Sequence, residues 1–390
     1  MEFHAATPEV VQAACAVIRN FAVDSWGDGD TEGGIGKKTA RVTNALPGAG
    51  AVWLMKEAGC IDAIVNAMNA HKHSASVQTQ GCGALRNCAC GAVGDPESRV
   101  ALGRAIAEAD GLSTVCRAMT EHSSEQSVQA QGCGALRNLA ASVPLKRRLI
   151  EPDIVAAVVR AMTSHEEPPP ADRQRYHGWT ALWQETLEQG ASFLTNLMCV
   201  SPRVMSGMND AEYTEHMSDA CDAAELIYAA GGVETLIHTI MSKPYHAAIA
   251  AHGTAALRLL LSKRVGSVLL RRREAMASDV RGRLYDIEGS VQALANVVVH
   301  HAADVEVKRH CVPCLCLLAE EQREGVAQRA FLAISNATDV IEAIRPDLAA
   351  GLLRGKKDAG LARLLELLQQ GAQDQGQGGV TASDESPRPE

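Results

Sequence analysis

Residues 77–90 read VQTQGCGALRNCAC, and residues 128–141 read VQAQGCGALRNLAA. Two nearly identical stretches 51 positions apart in one chain announce an internal repeat. Taking Asn87 and Asn138 as a reference position, weaker copies sit at 10–23 (reference Asn20), 187–200 (Asn196), 249–262 (Leu259) and 307–320 (Leu317). Six residues before the reference, every copy holds a small or compact residue: Ala14, Gly81, Gly132, Gly190, Gly253 and Cys311. A second apolar element precedes most copies, as IDAIVNAM at 61–68, LSTVCRAM at 112–119, VAAVVRAM at 155–162, VETLIHTI at 233–240 and VQALANVV at 291–298. In four of these five the element ends 19 residues before the reference; in the fourth copy the gap is 34, the excess carrying Pro168, Pro169 and Pro170.

Both elements have helical spacing. Ile61, Ile64, Val65 and Met68 stand at i, i+3, i+4 and i+7, which is one apolar stripe on a helix. Gly81 and Gly83 fall inside the second helix, where each costs about 1 kcal/mol relative to Ala. Their tolerance predicts close packing against a helix that a Cβ would obstruct. The glycines ahead of the first element (Gly59, Gly111, Gly232, Gly289) suit the end of a preceding turn. A unit of this size cannot bury its own stripe, so units must stack into an all-α solenoid.

Composition is consistent with that class and excludes several others. The 390 residues are 46% hydrophobic, enough for a core. Only 3% are aromatic, which speaks against a stacking platform for single-stranded nucleic acid. The net charge of −9 speaks against nucleic-acid binding through bulk charge. No run of about 18 apolar residues provides a membrane span. Twelve cysteines without a secretory leader read as reduced thiols in a cytoplasmic protein, with nuclear or cytoskeletal association left open.

A Gly-led apolar helix followed by a helix ending in GCGALRNLA resembles the armadillo repeat, best at 59–141, fairly at 150–262 and weakly at 289–320. The resemblance implies three helices per unit, a right-handed superhelix of roughly five to six units, and a concave groove lined by the third helices. Reference spacings of 67, 51, 58, 63 and 58 residues exceed the usual unit of about 40–47. Inserted loops are therefore expected at 25–51, 168–182 and 201–220. The array is expected over 1–320, a helical cap over 321–370 and a disordered polar tail over 371–390. Met1–His4 aligns with Met68–His71, so the chain opens inside a unit; a fragment of a longer protein is preferred here over a half-cap.

In the family, the third-helix Asn faces the groove and hydrogen-bonds an extended peptide. The resemblance passes that role to Asn20, Asn87, Asn138 and Asn196. One residue earlier stand Arg19, Arg86, Arg137 and Arg258, with Thr195 in the fourth copy. Four residues before the reference, where the importin-alpha branch keeps Trp, the chain has Ala16, Gly83, Gly134, Ser192 and Ala255. Without a Trp array there is no cation–π pocket for Lys, and basic import signals are disfavoured. The arginines suit acidic or phosphorylated segments instead. Arginines paired with neighbouring carboxylates are an equally weighted alternative.

Other motifs fall short of chemistry. GGIGKKT at 33–39 lacks the first Gly and the Ser/Thr of a phosphate loop. Asp28–Gly33 opens like a calcium loop, but its twelfth place is Thr39. His310, Cys311, Cys314 and Cys316 lack a second Cys pair at zinc spacing and read as small core thiols. His4, His71, His122, His165 and His301 recur after the second element and read as turn residues at a helix end. No nucleophile–base motif is present. The expectation is a non-catalytic scaffold that binds an extended protein segment, with no cofactor, metal, nucleic acid or membrane span. The alternative is the regulatory array of a larger multidomain protein such as a kinase.

Overall fold

A computed structural model describes residues 7–24, 59–91, 96–164, 177–199, 209–262, 270–320, 325–350 and 359–378. Among them the regular elements are helices and no strand occurs. The chain divides into two compact units, 1–230 and 231–390, each taken by itself.

The first unit runs α1 (Pro8–Asp24), α2 (Cys60–Ala70), α3 (Ala75–Cys88), α4 (Pro96–Glu108), α5 (Gly111–Glu121) and α6 (Gln126–Ala140). A 3-10 turn (Val143–Leu145), α7 (Lys146–Leu149), α8 (Pro152–Thr163), α9 (His177–Met198) and α10 (Asp210–Ala229) complete it. The second unit holds α11 (Gly232–Ser242), α12 (Ala247–Leu261), α13 (Leu270–Asp286), α14 (Ser290–His300), α15 (Val305–Ala319), α16 (Val326–Leu332), α17 (Ala337–Ala350) and α18 (Ala359–Gly378).

The apolar stripes are the core. Ile61, Ile64, Val65 and Met68 of α2 are buried, as are Leu112, Val115, Ala118 and Met119 of α5. The longest packing seams join the helices that carry the repeat motif: α1 with α3, α3 with α6 and α6 with α9 in the first unit, and α12 with α15 in the second.

The glycine six before the reference has the role expected of it. A Cβ on Gly81 would stand 2.4 Å from Met68 Cγ, one on Gly132 2.5 Å from Met119 Cγ, and one on Gly190 2.6 Å from Met162 Cγ. The methionine closing the second helix thus lies directly on the third helix of its own unit. In the second unit Ile240 replaces it, 2.9 Å from where a Cβ of Gly253 would be.

The turn before the second helix differs from expectation at two units. The left-handed residues are Gly59, Asp110, Gly231 and Gly289. At two units the turn therefore comes one residue earlier than Gly111 and Gly232, which instead begin their helices. Asp110 tolerates its φ of 59° as a short polar side chain, and it accepts a hydrogen bond from Ser113 Oγ at 2.6 Å. Gly111 is required by packing, because its Cβ would fall 2.6 Å from Ile106 Cγ2.

Two of the expected loops are partly helical. Residues 177–182 open α9, and 210–220 belong to α10, whose N-terminus is closed by an Asn209–Glu212 capping box. The expected loop 25–51, with its phosphate-loop-like and calcium-loop-like stretches, and Pro168–Pro170 lie outside the described residues. The last helix runs to Gly378, into the segment expected to be tail.

Candidate functional site

The residues singled out by the repeat form a ladder between neighbouring third helices. Asn87 Nδ2 donates to the backbone carbonyl of Arg19 at 2.8 Å. Asn138 Nδ2 donates to that of Arg86 at 2.9 Å, and Asn196 Nδ2 to that of Arg137 at 3.2 Å. Each reference amide therefore caps the residue just before the preceding reference position. The Arg86 carbonyl lies in the last turn of α3, where intrahelical partners run out, whereas that of Arg137 also accepts from Ala141 N–H at 3.2 Å. Asn138 goes further: its Nδ2 also donates to Cys90 Sγ, its Oδ1 accepts from Arg137 Nη1, and the residue is 8% exposed. No donor of Asn138 is left for a ligand. Asn87 and Asn196 are half-buried, and Asn20 is exposed. The expected peptide clamps are thus first of all staples between neighbouring helices.

The arginines point the other way along the ladder. Arg19 Nη1 donates to Gln80 Oε1 at 3.1 Å, and Arg86 Nη1 donates to Gln131 Oε1 at 3.3 Å and to Glu185 Oε1 at 2.5 Å. Arg137 Nε donates to Ser192 Oγ at 3.3 Å. The acceptor glutamines stand seven before the reference of the next unit. The guanidinium stems lie over the position four before it: a Cβ on Gly83 would be 2.9 Å from Arg19 Cδ, and one on Gly134 2.6 Å from Arg86 Nε. Those small residues, read from sequence as missing tryptophans, make room for the preceding arginine. In the first unit the arginines are accordingly not a free basic strip. Arg86 is neutralised by Glu185, with both partners partly shielded from solvent.

Arg258 in the second unit differs. Seven before the next reference stands His310 in place of Gln, on α15 packed against α12. Among the described residues Arg258 has neither ion pair nor hydrogen bond, and its Nε is buried without a partner. His310 Nδ1 is likewise buried and unpartnered. Burial, then the charge of Arg258, pull the His310 pKa down to about 4, with Arg309 and His252 adding to the effect and Glu306 opposing it.

Sequence reading missed the glutamines, although Gln-x-Gln stands in both quoted stretches. Gln78 Nε2 donates to the carbonyls of Met68 and His71, both at 2.9 Å, and Gln129 Nε2 to those of Met119 and His122. These close the C-terminal end of the second helix in each unit. Two of the recurring histidines bridge turns: His122 Nε2 meets the carbonyl of Lys72 at 2.7 Å and His301 Nε2 that of Pro244 at 2.9 Å, whereas His71 Nε2 is buried without a partner and His4 and His165 lie outside the described residues. A carbonyl only accepts, so the proton sits on Nε2 in both bridging rings.

The cysteines are free thiols, most of them buried. Burial pushes Cys82, Cys133 and Cys314 up to about 12. Cys311 and Cys314 donate to the carbonyls of Leu294 and Thr254, both at 3.2 Å. No group of three or more metal-binding side chains gathers among the described residues. None of the described helices is long and apolar enough to cross a membrane.

No family model matches the chain, and no curated protein matches it. A solved structure titled as an engineered protein, from a structural genomics consortium, aligns with 78% of this chain and 91% of its own length, at 16% identity and a TM-score of 0.46.

Proposed function

We propose that the chain is a non-catalytic interaction scaffold built as a right-handed solenoid of armadillo-type repeats. It would hold an extended, acidic or phosphorylated segment of a partner protein along the row of third helices. The observation that supports this reading is the constant register of the asparagine staples. Three successive links, Asn87 to Arg19, Asn138 to Arg86 and Asn196 to Arg137, join equivalent positions. Equivalent side chains then recur along one face at each step, which is what a partner with a regular backbone repeat requires. Asn87 and Asn196 each retain an unassigned amide N–H for such a partner, whereas Asn138 does not.

An array of acidic peptides probed with the full chain tests the proposal. Retained peptides should be lost from the Arg86→Glu, Arg137→Glu double variant, by at least about tenfold in affinity. A double variant that folds and retains every peptide equally well would refute it.

A further inference from the structure

Among the described residues, one rung of the arginine ladder leaves its arginine without an acceptor. In the first unit each ladder arginine meets an acceptor on the next third helix: Arg19 meets Gln80, Arg86 meets Gln131, and Arg137 meets Ser192, while Gln189 Oε1, at the glutamine place of that third rung, stays buried without a partner. At the equivalent place in the second unit, Arg258 on α12 has His310 on the packed helix α15, near enough for its charge to act on the ring, and Arg258 Nε and His310 Nδ1 are both buried without a partner. Arginine carries only donors, and a protonated imidazole only donors. Near neutral pH the ring is neutral, yet Arg258 Nε and His310 Nδ1 both stay buried and unpaired, and once the ring takes up a proton the rung holds donors alone and is costly unless an acceptor is brought to it. The nearby charges sharpen the point. His252 and Arg309 add to the positive side, and the one carboxylate acting on His310, Glu306, is already held by Arg309 at 2.8 Å.

From this juxtaposition we infer that Arg258 and His310 form an oxyanion site, a seat for a carboxylate or phosphate that supplies the acceptor the rung lacks. Planar guanidinium donors and an imidazolium suit the oxygens of either group. The inference rests on the proposed scaffold function only for the source of the oxyanion, a side chain of the bound segment; the site itself follows from the rung.

The test is calorimetric titration of the full chain with inorganic phosphate, followed by competition with an acidic peptide. Phosphate should bind the wild type at pH 7.5, and sulfate, whose charge is constant over this range, should bind more tightly at pH 5.5 than at pH 7.5, because the bound anion favours the protonated ring against Arg258, His252 and Arg309. Arg258→Gln should abolish the heat. His310→Gln, which recreates the Arg–Gln rung of the first unit, should weaken binding by about tenfold while raising the melting temperature. Arg309→Gln, which leaves Arg258 and His310 in place, should retain binding. No phosphate binding by the wild type, or equal binding by Arg258→Gln and His310→Gln, overturns the site. Phosphate binding without peptide competition leaves the site standing as one for a free anion and counts against the scaffold reading alone.

Discussion

The same rung is built twice with different chemistry. Between α3 and α6 of the first unit, Arg86 is closed by Gln131 and Glu185, and the carbonyl of Arg86 is closed by Asn138. Between α12 and α15 of the second unit, the reference positions are Leu259 and Leu317, so no reference amide staples the helices, and the charge of Arg258 acts on His310 while each keeps a buried nitrogen unpartnered. The first arrangement satisfies its polar groups internally and contributes to stability. The second leaves donors unmet and is the place where an outside acceptor gains most. A repeat can therefore keep its backbone register while one rung is converted from a staple into a site, by exchanging a single acceptor for a titratable ring.

The comparison can be broken most sharply at Asn138. Asn138→Ala removes a buried amide and strips the part-buried Arg86 carbonyl of its donor, and should cost about 2–3 kcal/mol, against about 1 kcal/mol for the half-buried Asn87→Ala; chemical denaturation of both variants checks the ranking. Next comes acid. The His310 pKa of about 4 lies below its unfolded value near 6.5, so the unfolded chain binds the proton more readily. Stability from this group is present above pH 6.5 and is lost as pH falls toward 4, on the order of 2 kcal/mol after allowance for solvent screening. The denaturation midpoint of wild type should therefore drop more between pH 7 and pH 5 than that of His310→Gln; identical drops would remove the distinction between the two rungs.

Smaller effects separate the units by packing. Gly132→Ala gains about 1 kcal/mol of helix propensity but drives a methyl onto Met119, at an overpacking cost of about 1–3 kcal/mol. The net expectation is destabilisation. Gly253→Ala, facing Ile240 at a looser distance, should be closer to neutral by the same melting assay. The smallest change is Glu185→Gln. Its ion pair with Arg86 is partly solvated and is expected to contribute less than about 1 kcal/mol. It should nonetheless strengthen binding of an acidic peptide by freeing Arg86, which peptide anisotropy measures.

Much of the fold was legible because helices are written in local periodicity. The stripe Ile61, Ile64, Val65, Met68 is buried as a helix face, and the glycine at 81 and 132 marks close approach, here to Met68 and Met119. Boundaries were less legible: 177–182 and 210–220 read as insertions by spacing alone but are helical, since excess length beyond a repeat does not say how the extra residues fold. The site was legible as positions and not as roles. Arg86, Asn87 and their equivalents could be picked out by recurrence, but recurrence cannot say whether an amide faces a ligand or a neighbouring carbonyl. Gln80 and Gln131 passed unnoticed because their work is done across residues 45 or more apart.

Sequence by itself determined the helical units, their stripes and the recurring small and amidic positions, because these depend on interactions within a few residues along one helix. Tertiary structure alone decided which donors are spent. A side chain at a fixed register meets different partners on the adjoining helix, and whether Gln131 or His310 stands opposite an arginine settles if that arginine is closed or open.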